Sequence, residues 1–211
     1  MDKLRQWWCN ELPMGVKLAF LVLLANAAPA ISILMVFQGR TETLFVWTIK
    51  PFINARLMGV MYANALILIT IGVLQPNWAR VRIIMVQITV FSFVATALTF
   101  VYLKPFLAHP WFHLAFWLTM YLALCIVAPY VFVTQERAQG GRMPIRIPLS
   151  SAARLLAGAF LLVSLICGLG LLFRVDIVNQ VWPWKLPPLV GGLICAPMQP
   201  LPWHSAMPFP D

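Results

Sequence analysis

Apolar residues fill five long stretches of this chain, at 18–37, 57–74, 83–103, 114–134 and 155–173, and no Asp, Glu, Lys or Arg interrupts any of them. A helix rises about 1.5 Å per residue, so about 20 apolar residues cross the hydrocarbon core of a bilayer. The pattern predicts an all-α integral membrane protein with about five transmembrane helices. The links between the stretches are short and none is long enough for a separate soluble core. The expected organisation is one membrane domain over 1–196, followed by a tail over 197–211 into which five prolines crowd.

Interruptions in the pattern place further features. Ala25-Asn26-Ala27 has the small residues of a signal-peptide cleavage site, but the apolar run continues to Phe37, so it is read as a first span. Pro29 removes a helix hydrogen bond and is expected to kink that span. Residues 45–51 are aromatic but too short to cross, so they are expected to lie along the surface. The short link 76–82 makes the second and third spans an antiparallel hairpin. The apolar segment 189–196 is also too short to cross.

Composition sharpens this only in part. The chain has 211 residues, of which 62% are hydrophobic and 10% charged, against about 25% charged in a soluble domain. The formal net charge of +9 comes from basic residues beside the spans, such as Lys17, Arg56, Arg82, Arg154 and Arg174. Their placement suits anchoring at lipid headgroups. No basic stripe interleaves with aromatics, which argues against nucleic acid as a partner. Nine basic residues fall on the side of the N-terminus (Lys3, Arg5, Lys17, Arg80, Arg82, Arg137, Arg142, Arg146, Arg154) and six on the other (Arg40, Lys50, Arg56, Lys104, Arg174, Lys185). This bias predicts a cytoplasmic N-terminus.

A shift of 137 residues aligns Lys17 with Arg154, Leu18 with Leu155, Leu34 with Leu171, Trp47 with Trp184 and Pro51 with Pro188. Each copy would be a basic residue, a span, then an aromatic segment ending in proline. Trp182-Pro183-Trp184-Lys185-Leu186-Pro187-Pro188-Leu189 resembles the W-P-W-x-L-x-P-L segment of a family of uncharacterised multi-pass bacterial membrane proteins. Phe45–Gly59 is similar to that family's first copy, and Trp78 with Arg82 to its R-x-x-W-x-x-V-R turn. The resemblance covers about residues 16–196 and implies a multi-pass fold in a bacterial cytoplasmic (inner) membrane. It brings no activity and no site residues.

Candidate chemistry is sparse. All six carboxylates lie outside the spans, whereas ion-coupled carriers keep ionisable groups near the midplane. Neither a catalytic triad nor a zinc pattern is present, and an enzyme is not expected. Asn26, Asn64 and Gln87 are polar groups within spans, suited to a substrate site or to hydrogen bonds between helices. His109 and His113 stand four apart beside the fourth span. His113 is the candidate ligand for a haem or chlorophyll-type pigment, and an interfacial histidine is the competing reading. The four cysteines imply no disulfide framework.

Trp47, Trp78, Trp111, Trp182 and Trp184 fall near span ends, as an interfacial aromatic belt requires. Gly59 and Ala63 in the second span, and Ala153, Ala157, Ser164 and Gly168 in the fifth, form small-residue faces for helix packing. Together these features suggest a non-catalytic accessory or scaffold subunit of a larger membrane assembly, bioenergetic or photosynthetic, holding other integral membrane subunits, lipid, carotenoid or chlorophyll-type pigment. The alternative is a small transporter or lipid-handling protein. A midplane cavity on which polar residues converge would favour that alternative.

Overall fold

The computed structural model describes residues 12–75, 78–138 and 150–195. It is mostly helical over these residues, with no strand among them. In chain order the helices are α1 (Met14–Ile31), α2 (Thr41–Leu44), α3 (Phe52–Leu74), α4 (Trp78–Val101), α5 (Leu103–Leu107), α6 (Trp111–Ala138), α7 (Ser151–Phe173), α8 (Val175–Val181) and α9 (Pro188–Cys195). Four stretches are long and apolar enough to cross a membrane: Met14–Val36, Phe52–Leu74, Val81–Val101 and Trp111–Ala138. The fifth apolar run forms α7, whose 23 residues extend about 34 Å at 1.5 Å per residue. This is an integral membrane protein of the all-α class.

Pro29 lies inside α1, and the helix widens into a π-helical turn over Ser32–Val36 directly after it. Proline offers no N–H and disturbs the hydrogen-bond ladder, so the irregularity falls where the sequence places it. Ser32 Oγ donates to the Ala28 carbonyl at 3.1 Å, satisfying one acceptor beside the break.

The long helices pair as α1 with α3, α4 with α6, and α7 with the short α9. Lipid tails are as apolar as leucine, so close packing and hydrogen bonds hold these pairs rather than water exclusion. Gly59 lets the π-helical turn after α1 approach: a Cβ there would meet Met35 Cγ at 2.5 Å and Leu34 Cβ at 3.2 Å. This face is therefore used within the chain. Ala63 is half-buried and Gly168 buried. The side chains of Ala153, Ala157 and Ser164 lie outside the described residues, as does the tail 197–211.

Two ends are recognisable. At one, Trp78 Nε1 donates to Glu136 Oε1 at 2.9 Å, and Arg82 approaches the same oxygen at 3.9 Å, joining the start of α4 to the end of α6. Lys17 belongs to this end and is only 1% exposed, so it is packed inside rather than spread on lipid headgroups. Arg154 lies at a position whose side chain is not described. At the other end, Arg56 Nε donates to Gln38 Oε1, and Arg174 pairs with Asp176 at 3.5 Å in an exposed position.

The segment 45–50 does not lie along the surface. It is a buried plug: Phe45, Val46, Trp47 and Ile49 are all inside. Trp47 packs at a tilt against Phe106 and edge-on to Trp117, with ring centroids 5.0 and 5.3 Å away. Thus Trp47 and Trp78, expected in the belt, are buried in protein, Trp47 among protein rings and Trp78 against Phe132 and the half-buried acceptor Glu136. Trp111 is 80% exposed, and Trp182 and Trp184 are half-buried.

The segments around Trp47 and Trp184 share a local arrangement. The Ile49 N–H donates to Thr41 Oγ1 at 3.2 Å, and the Leu186 N–H donates to Asn179 Oδ1 at 2.7 Å. In each, a side chain of the preceding short helix holds the residue two after the tryptophan. Each segment then ends at a proline that starts or precedes a helix, where a missing N–H costs nothing. The described part of the apolar segment 189–196, up to Cys195, packs into the protein as α9. Gly191 rests near the Leu171 carbonyl and Gly192 against Leu98, positions where any side chain would collide.

Candidate functional site

The hydroxyl and carboxamide groups within the spans behave differently. Thr70, Thr89, Ser92, Thr99 and Thr134 each donate to the carbonyl four residues earlier, at 2.7–2.9 Å. Such back-bonding satisfies a hydroxyl without help from another helix. The carboxamides of Asn26 and Gln87 have no hydrogen-bond partner among the described residues.

Both carboxamides line one cavity. It has a volume of about 110 Å³ and lies between α1, α3, α4, α6 and the tip of α9. Asn26 stands near the middle of Met14–Val36, and Gln87 near the middle of α4. The cavity therefore lies midway along these apolar helices. Its walls are mainly apolar, with Met58, Met61, Ile84, Phe91 and Leu124 among them. Leu193 closes it from α9, which explains why a helix too short to cross is nevertheless buried. Asn26, Gln87 and Met120 are half-buried, so the rim reaches the outer surface.

Two phenols complete the polar set. Tyr62 Oη and Tyr121 Oη lie 3.0 Å apart, joining α3 to α6. One hydroxyl of such a pair donates to the other, and the second hydroxyl hydrogen remains for another acceptor. Below Tyr121 a column of rings descends to the interfacial plug. Phe91 and Trp117 lie 5.8 and 4.3 Å from it, and Trp117 leads on to Trp47. Trp117 Nε1 donates to Thr99 Oγ1 at 2.9 Å, so this ring is fixed by packing and by a hydrogen bond together.

None of the residues lining the cavity is charged. The cavity offers N–H and O–H donors and carbonyl acceptors on an apolar wall. Such an arrangement can orient a neutral molecule with a hydroxyl or carbonyl head. It contains no acid–base pair and no set of ligands for a metal.

Comparison with protein-family models, curated proteins and solved structures finds no match to this chain. The site therefore has to be read from its own chemistry.

Of the three amides singled out from sequence, Asn26 and Gln87 come together and Asn64 does not; it is exposed on the outer face of α3. His109 and His113 do not share a helix face, because α5 ends at Leu107 and α6 begins at Trp111. Their rings lie 6.4 Å apart. His109 Nε2 meets Thr48 Oγ1 at 3.2 Å, and the Nδ1 atoms of both histidines are buried without a hydrogen-bond partner. Burial lowers the His109 pKa below its ordinary value, the neighbouring His113 lowers it further, and Glu42 opposes both. Among the described residues no three His, Cys, Asp or Glu side chains gather as a metal site.

Tyr62 and Tyr121 were not singled out as a pair from sequence. A tyrosine in mid-span is a usable signal, since its hydroxyl needs a partner in hydrocarbon. At headgroup level a second crevice, of about 460 Å³, opens between the two tryptophan segments. Lys50 and Lys185 flank it, with Asp176 and Asn179 on its wall.

Proposed function

We propose that this protein binds a neutral amphipathic molecule within the bilayer, as a lipid-handling or small-molecule carrier of the membrane. One observation carries the proposal: Asn26 and Gln87 line the same midplane cavity, and neither has a partner among the described residues. An amide left without a partner in hydrocarbon costs several kcal/mol, roughly 2–7 by transfer measurements. About three to four waters, at roughly 30 Å³ each, would fill about 110 Å³ and could satisfy part of this. The mostly apolar wall favours a ligand that brings an apolar body and a single polar head. A long-chain fatty alcohol has this chemistry, its hydroxyl end seated in the cavity and its chain leaving by the rim into lipid. A charged phospholipid head does not, because no counter-charge lines the cavity.

The role is binding rather than catalysis, because amides and phenols orient a ligand but supply no general base at neutral pH. The accessory-subunit reading is second to this one, since the Gly59 packing face is used inside the chain. We place the protein in a bacterial inner membrane from the resemblance of its tryptophan–proline segments, with the N-terminus cytoplasmic from the basic bias.

The test is chemical. The protein is purified in mild detergent, extracted with organic solvent, and the extract identified by mass spectrometry. A neutral amphiphile at about one per chain, lost in the Asn26→Leu/Gln87→Leu double variant, supports the proposal. An extract containing only bulk phospholipid in no fixed ratio refutes it.

A further inference from the structure

The centre of α3 carries a polar group on its outer face. Asn64 stands one residue from the middle of Phe52–Leu74, about 15–18 Å from either end of the helix at 1.5 Å per residue. It is exposed, and no hydrogen bond reaches it among the described residues. Thr70, exposed on the same helix, avoids this state by donating to the Leu66 carbonyl at 2.7 Å. The Asn64 side chain is too short to reach the headgroups, and lipid tails hold neither donor nor acceptor. Its partner has to come from another helix at the same depth.

The residues around Asn64 say which kind of helix fits. Ile53, Val60, Asn64, Ile67, Ile71 and Leu74 are all exposed. From Val60 onward they follow one another at steps of four and three, the spacing of a heptad seam. Apart from Asn64, the seam is apolar and uncharged. The opposite side of α3 packs on α1 and, through Gly59, on the π-helical turn after it, so a new partner would displace nothing.

We propose that this seam binds a second copy of the chain, with the two Asn64 carboxamides hydrogen-bonded to each other across a two-fold axis normal to the membrane. Two copies inserted with the same orientation present parallel α3 helices, and a two-fold axis sets each seam residue near its own counterpart. A carboxamide carries both donors and an acceptor, so it is complementary to itself. A single asparagine in an apolar seam also selects one register and one oligomeric state. The cavity lies on the inner side of α3, so this proposal stands apart from the ligand-binding reading.

The experiment uses the full chain in lipid bilayers. Native cysteines are replaced, and single cysteines are introduced as Val60→Cys, Ile67→Cys or, on the equally exposed face of α6, Ile126→Cys. Copper–phenanthroline oxidation is expected to give a covalent dimer from the first two and not from the third. In a lipid-dilution series read by energy transfer, Asn64→Leu is expected to weaken self-association about tenfold, and Asn64→Gln to restore most of it. Because Asn64 points outward, the leucine variant should still insert. If it does not, the Val60→Cys and Ile67→Cys arms decide with Asn64 intact. A wild-type chain that stays monomeric across the series overturns the proposal. So does unchanged association in a folded Asn64→Leu variant, equal cross-linking from Ile126→Cys, or a photo-cross-linker at position 64 that captures a different chain.

Discussion

Trp184 Nε1 donates a 2.8 Å hydrogen bond to Asn54 Oδ1, tying together residues 130 positions apart. Asn54 answers with its own amide, which donates to the Lys185 carbonyl at 3.2 Å and the Lys50 carbonyl at 3.3 Å. One fully buried carboxamide thus clamps the tryptophan segment that precedes α9 onto the start of α3. Since Leu193 of α9 closes the cavity, this clamp also positions the cavity wall.

Replacing that carboxamide by an isosteric apolar group leaves the Trp184 N–H and the Lys185 carbonyl unpaired in a buried place. Asn54→Leu is expected to cost about 2–4 kcal/mol, and Trp184→Phe, which removes one bond, about 1. Unfolding in mild detergent measures both. A larger loss for Trp184→Phe than for Asn54→Leu would contradict the clamp.

Stability should depend on pH through His109. Its pKa is lowered by burial first and by His113 second. The unfolded chain then takes up a proton at a pH where the folded chain does not. Stability is accordingly retained above the unfolded value of about 6.5, and falls as pH drops from there through the lowered folded value. The midpoint of thermal unfolding at pH 5 and pH 8 should differ less in His109→Asn than in the wild type. An equal difference in both would assign the pH dependence elsewhere.

Close packing of α9 on α7 gives a third expectation. A Cβ on Gly191 would meet the Leu171 carbonyl at 3.3 Å and Val175 Cγ2 at 3.0 Å, whereas one on Gly15 in α1 would meet nothing within 4 Å. Gly191→Val is expected to destabilise by about 1–3 kcal/mol. Gly15→Ala should leave stability unchanged or raise it by up to about 1 kcal/mol, because alanine is the better helix former. The same unfolding assay reads both, and a neutral Gly191→Val would show that α9 is not seated as described.

Span placement was legible because charge is excluded from hydrocarbon, and the apolar runs mark where that exclusion holds. Pro29 was legible for the same kind of reason, since a missing N–H has one local consequence. Helix pairing was not: helices apolar all round carry no stripe to say which face meets which neighbour. Trp47 illustrates the limit. Its position near a span end fits a lipid belt, and only the approach of Phe106 and Trp117, about 60 and 70 residues later, turns it inward. Asn26 and Gln87 were visible as midplane amides, but their convergence depends on that same unreadable pairing. The two histidines failed as a helical pair because Pro110 separates α5 from α6.

The central claim is that the midplane cavity holds a neutral amphiphile. Ala65 lines it and is half-buried, so Ala65→Phe should fill the space without disturbing the fold. Native mass spectrometry of the wild type and of Ala65→Phe, released from the same membranes and matched for thermal stability, tests this most directly. The account predicts one neutral adduct per chain in the wild type and at least a tenfold lower occupancy in the variant. Equal occupancy in both, or no adduct in the wild type, would contradict it.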